Sequence, residues 1–142
     1  MKKDLMCAIV GVTGGAITNM LGGWDSAIIT MLVFMALDYL SGIVVAGVFK
    51  KSTKTDSGAL NSSVGWKGLC RKGMMLAFVL VANRLDIAIG TVYIRDAVVM
   101  AFTCNEAISI TENSGLMGVP IPNQIVKAIE VLKNKEERTN EN

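Results

Sequence analysis

Residues 27–49 read AIITMLVFMALDYLSGIVVAGVF, an apolar stretch long enough to cross a hydrocarbon layer ~30 Å thick as a helix. Within such a layer only helices and closed barrels satisfy their own backbone groups. The chain shows no two-residue alternation of polarity, so the fold class expected is all-α. In 142 residues, 51% of them hydrophobic and only 18% charged, there is no room for a second sizeable domain. We therefore expect a membrane-embedded helical region over residues 1–122, followed by an amphipathic helix and polar tail over 123–142.

Three more segments compete for the bilayer. Residues 5–23 are glycine-rich, and Ala8, Gly11, Gly15, Thr18 and Gly22 recur at spacings of three and four. Such a face lets two helices approach closely in lipid, with Gly11 and Gly15 as the packing positions. The same segment is also compatible with a helix lying on the surface, so the expected number of spans is three to four. Lys2 and Lys3 ahead of this run imitate a signal peptide, but no A-x-A-like cleavage site follows and Trp24 and Asp25 lead directly into the next run. The third segment, 69–85, contains GMMLAFVLVA and closes near Asn83, Arg84 and Asp86, which are expected at the far interface. The stretch DIAIGTVYIR, 86–95, is expected to form a short interfacial turn before the fourth segment, 96–113.

Charge sets the orientation. With four spans, every basic residue except Arg84 and Arg95 falls on one side, which the positive-inside rule makes cytoplasmic. Both termini are then expected inside, together with the loop 50–68. That loop, rich in Ser, Thr, Gly and Lys, carries Trp66 as an interfacial anchor. Its lysines serve as a topology signal, and contact with anionic lipid is a second use open to them. Beyond Pro120 and Pro122, which are expected to stop the fourth helix, Ile125, Ala128, Ile129 and Leu132 recur at helical spacing. That helix suits either the inner leaflet or pairing with its own copies.

The polar interruptions carry the functional information. An ionised residue at mid-helix costs ~2.5–3.5 kcal/mol, whereas each large aliphatic or Phe side chain returns only ~0.3–0.6. Glu106 alone thus cancels what the fourth segment gains. Asn105, Glu106, Ser109 and Glu112 in that segment, with Asp38 and Ser41 in the second, are the candidate pore-lining or helix-contact residues, and Gly42 joins Gly11 and Gly15 as a helix-packing position. Three readings remain open: packing within one subunit, a proton or ion pathway, and polar faces of many subunits lining a watery opening. A catalytic role is not expected. The chain has no histidine, no GxSxG elbow and no phosphate-binding glycine loop, and Cys7, Cys70 and Cys104 stand alone as apolar fillers. No cofactor, metal or nucleic-acid partner is expected.

The segments LDYLSGI (37–43), GWKGLCRK (65–72), NEAISITEN (105–113) and GVPIP (118–122) resemble, in order and spacing, those of the toxin-secretion and phage-lysis holin family. The resemblance spans about residues 35–135. It implies a small multi-pass protein of the bacterial cytoplasmic membrane that assembles with its own copies and opens lesions. Those lesions would release a cell-wall hydrolase or a large toxin, without stable binding between the two proteins. The resemblance further implies importance, without assigning roles, for Asp38, Tyr39, Gly42, Gly65, Lys67, Gly68, Lys72, Asn105, Glu106, Ser109, Glu112, Asn113, Pro120 and Pro122. A small oligomeric ion channel and a membrane-anchored interaction protein are the alternative functions.

Overall fold

The computed structural model describes residues 1–140. Its elements are α1 (Lys2–Met20), α2 (Ser26–Val44), α3 (Ser62–Ile89), α4 (Ile94–Leu116) and α5 (Asn123–Asn140), with no strand among the described residues. The architecture is all-α, as the periodicity implies.

Helix α2 starts where Asp25, in extended conformation, accepts a hydrogen bond from the Ile28 amide at 2.9 Å and caps the first turn. Its inward face follows a three-four spacing through Ile28, Met31, Met35 and Asp38. The helix then widens into a π-helical turn, Val45–Phe49, and stops at Lys50, which adopts the left-handed conformation at φ 52°. Among the described residues, Ser26–Phe49 is the one helix whose length and apolarity suffice by themselves to cross a membrane. Only 28% of its apolar window is buried, whereas the core helix of a water-soluble fold is mostly buried.

Helices α2 and α4 pack along much of their lengths, α3 flanks α4, and α1 touches the rest mainly through α3. The buried middle layer is apolar, built from Leu21, Ile28, Met31, Met35, Met75, Val79 and Val99. Outside it the usual polarity is reversed. Val33, Leu37 and Leu40 on α2 and Phe78, Val81 and Leu85 on α3 are exposed, while Asp38, Asp86, Arg95 and Glu106 are buried. Helix α1 contains no buried residue at all.

Both ends of α3 and the end of α4 differ from the sequence-based expectation. The stretch from Asp86 to Ile89 is not part of a turn; α3 continues through it and ends at Gly90, which takes the left-handed conformation at φ 73°. The reason is local. The Asp86 carboxylate accepts from the amides of Ile94 at 3.1 Å and Arg95 at 2.8 Å and from the Thr91 hydroxyl at 2.6 Å, so it caps the start of α4 from within α3. The expected turn therefore shrinks to residues 90–93. At the other end α4 stops at Leu116, ahead of both prolines, on a left-handed Gly118 whose amide reaches the Gly115 carbonyl.

Helix α3 begins well before the apolar run, at Ser62, capped by the Asn61 side chain. The loop ahead of it folds back on itself. The Ser52 amide donates to the Gly58 carbonyl, and Gly58, at φ 69°, sits so close to Lys50 that a Cβ there would lie 2.2 Å from the Lys50 carbonyl oxygen.

Candidate functional site

The inward faces of α2, α3 and α4 carry polar groups at both ends of the apolar layer. At the loop side, Lys72 of α3 reaches between α2 and α4 and donates to Asp38 at 2.8 Å and to Glu106 at 2.5 Å. The Lys72, Asp38 and Glu106 side chains are 12%, 10% and 4% exposed, so this is a buried ionic triad and not a surface pair. Asn113, about two turns further along the same face of α4, donates to the Asp38 carboxylate at 3.2 Å and to the Ser41 hydroxyl at 2.8 Å. No buried side-chain polar atom among the described residues lacks a partner.

Asp38 lies midway along Ser26–Phe49, ~18 Å from either end at ~1.5 Å per residue. A cavity of about 540 Å³ leads down to it from the loop side. Asp38, Lys72 and Glu106 form part of its wall, Ser109 and Asn113 line α4's side, and the folded loop from Ser52 to Leu60 covers part of its mouth. Tyr39 packs against the entrance of α3. A Cβ on Gly65 would stand 3.7 Å from the Tyr39 hydroxyl and one on Gly68 3.9 Å from its ring, so the glycines set the spacing of α2 and α3 here.

The second cluster closes the opposite end. Arg95, itself 7% exposed, donates to the Leu21 carbonyl at 2.6 Å, the Gly23 carbonyl at 3.3 Å, Asp25 at 2.6 Å and Asp96 at 3.0 Å. Asn83 adds a bond to the Met20 carbonyl at 2.9 Å. Together they pin the α1–α2 turn onto the α3–α4 turn. The Arg95 guanidinium holds the Asp25 carboxyl below its ordinary value of 3.8. Gly22 permits this closure, since at φ 83° a Cβ would lie 2.6 Å from Asn83 Oδ1 and 2.7 Å from Arg95 Nε.

The structure thus brings Asp38, Ser41 and Glu106 together and leaves Asn105 and Glu112 exposed on the cavity wall. Asn105 is not among the hydrogen-bonding partners of Glu106; the partner is Lys72. Gly42 approaches Asn113, with a Cβ position 3.8 Å from its amide nitrogen, whereas Gly11 and Gly15 have nothing within 4 Å. Lys72 and Arg95 are the residues that counting charges by side did not single out as structural. Their register was the available signal: Lys72 shares the three-four spacing of the buried Met75 and Val79, and Arg95 that of Val99.

The bacteriophage holin family matches residues 15–134. The chain belongs to the bacteriophage holin family. An uncharacterized protein of Clostridium perfringens strain 13 is 37% identical over 139 residues, covering 95% of this chain and 97% of that protein. A 14.9 kDa protein from the nagH 3′ region of Clostridium perfringens is 39% identical over 124 residues, with 86% and 88% covered. A probable holin of Bacillus phage phi105 is 31% identical over 112 residues, covering 78% of this chain and 77% of that holin. No solved structure matches. Membership makes the chain a membrane protein of holin type, a class without enzymatic activity.

Proposed function

We propose that this holin assembles with copies of itself in the bacterial cytoplasmic membrane and opens lesions through which a cell-wall hydrolase or a large toxin leaves the cell. The observation that carries the reading is the mid-helix triad of Asp38, Lys72 and Glu106, held inside a shell of exposed apolar side chains. A single chain hides these charges by pairing them. In an assembly, separation of α2 from α3 would turn the same faces toward water, which favours a hydrated opening over a sealed bundle.

Several features support crossing by more than α2. Helices α3 and α4 carry Lys72, Asp86, Arg95 and Glu106, which lower their apolarity below that of a lone span, and each of these groups is hydrogen-bonded within the bundle. Four crossings keep both termini cytoplasmic, with the triad's cavity opening inward. Helix α1, with no buried residue and open space over Gly11 and Gly15, is the surface most suited to contact between subunits. Asn105, Ser109 and Glu112 on the cavity wall then become lining groups of the lesion.

The test is induction of the chain in bacteria while following membrane potential and escape of a folded cytoplasmic enzyme. Abrupt escape of the enzyme is expected, and Glu106→Gln should insert normally yet shift its onset. Depolarisation without escape would point to an ion channel, and intact barrier function to a membrane anchor. Either result would overturn the lesion reading.

A further inference from the structure

The cavity above the triad has a composition that the ionic pairing does not use up. Asp38 and Glu106 share the single cation Lys72 at its floor, two carboxylates to one lysine. Higher on the wall stand Lys54, Lys67 and Arg71, all exposed, facing a single further carboxylate, Glu112. None of these three cations makes an ion pair among the described residues. Ile43 and Leu60, exposed apolar side chains, form part of the same wall. A volume of about 540 Å³ is of ligand-pocket size.

We infer that this cavity binds the phosphate headgroup of an anionic phospholipid from the leaflet on the loop side. The headgroup phosphodiester would sit among Lys54, Lys67 and Arg71, and an acyl chain would leave past Ile43 and Leu60. Cation placement argues for the anion: three cations outside any salt bridge among the described residues line the same concave wall. The apolar lip argues for a lipid and against a free phosphate, because a soluble anion gains nothing from it. The inference rests on the bilayer placement proposed above, with the loop at the membrane surface.

The full-length protein in a zwitterionic detergent provides the test. Its thermal melting is followed during titration with phosphatidylglycerol, phosphatidylcholine or inorganic phosphate. Phosphatidylglycerol is expected to raise the melting temperature saturably, and the other two are not. Lys67→Gln combined with Arg71→Gln should weaken the apparent affinity about fivefold per cation removed, roughly thirtyfold together. Lys2→Gln with Lys3→Gln, an equal change of charge elsewhere, should leave it unchanged, and Lys67→Arg with Arg71→Lys should retain it. Equal stabilisation by phosphatidylcholine, equal stabilisation by inorganic phosphate, or equal loss in the Lys2 and Lys3 control would each overturn the assignment. Lesion formation by the same variants separates the two ideas. Lesions without lipid preference defeat only this inference, and lipid preference without lesions defeats only the proposed function.

Discussion

Replacing Lys72 with methionine keeps all but the terminal atom of the side chain's length and removes its charge, leaving Asp38 and Glu106 buried without their cation. At an effective dielectric constant of ~20, the contact with Asp38 at 2.8 Å corresponds to about 6 kcal/mol of attraction, most of it offset by the cost of desolvating the ions. The net loss when one partner of a buried pair is deleted is about 3–5 kcal/mol. The Lys72 side chain is 12% exposed and that of Glu106 4%, so screening reaches the group only from the cavity side and favours the lower half of that range. For a chain of this length each kcal/mol shifts the midpoint by about 3–4 °C, so Lys72→Met should melt ~10–15 °C below the parent in detergent. The decisive comparison is the triple substitution Lys72→Met, Asp38→Asn and Glu106→Gln. It removes all three charges, keeps an acceptor for Asn113 at position 38, and should recover most of the lost stability, since neutral replacement of a whole buried ionic group is often harmless. Melting is read by circular dichroism or by loss of the monodisperse peak on heating. A single variant melting within ~2 °C of the parent, or a triple variant as unstable as the single one, would refute the claim that the triad is a buried electrostatic unit.

Other parts of the bundle make separate predictions. Gly22→Ala should cost about 3 kcal/mol, combining backbone strain with displacement of the Asn83 and Arg95 bonds, whereas Gly23→Ala, with a positive φ but open space, should cost only about 1 kcal/mol; melting curves of the two variants distinguish clash from strain. Gly65→Ala should be tolerated, because a methyl group there makes an ordinary contact with Tyr39, while Gly65→Leu should lower the melting temperature and Tyr39→Ala should partly restore it. Asp25 has a depressed folded-state value, so its contact with Arg95 contributes fully above the ordinary value of 3.8 and is lost as pH falls through the lower folded value. Asp25→Asn retains the α2 cap without the charge, and its melting temperature should fall less steeply than the parent's between pH 5 and pH 3, two pH units spanning about that window.

The sequence shows how far such a bundle can be read without coordinates. In α2 the face through Ile28, Met31, Met35 and Asp38 follows directly from helical periodicity, and the expense of Asp38 in an apolar run marks it as a residue with a partner. The partner was not legible. Lys72 stands 34 residues from both Asp38 and Glu106 at the mouth of an apolar segment, where lysine ordinarily marks topology, and nothing local tells an inward lysine from a solvated one. Arg95 was obscured in the same way: its contacts with Leu21 and Asp25 join turns separated by 74 and 70 residues. The misplaced end of α3 has a related cause. Gly90 and Tyr93 do mark a turn, but only the tertiary role of Asp86 as a cap for α4 explains why the helix persists until then.

The cavity also reshapes the electric field. Water standing in it would bring the potential of the loop-side solution down to the triad, so the membrane voltage would fall mainly across the dry layer between Glu106 and Arg95. Those residues are eleven positions apart on α4, which is ~16 Å along a helix compared with ~30 Å for an unbroken hydrocarbon slab. The gradient there is roughly doubled, and a full elementary charge carried across it still exchanges ~2.3 kcal/mol per 100 mV, but over half the travel. With the bundle placed in the bilayer as proposed, a shift of Lys72 by a few ångströms away from the loop side would be coupled to the energised state of the cell about twice as strongly as the same movement in a solid bundle.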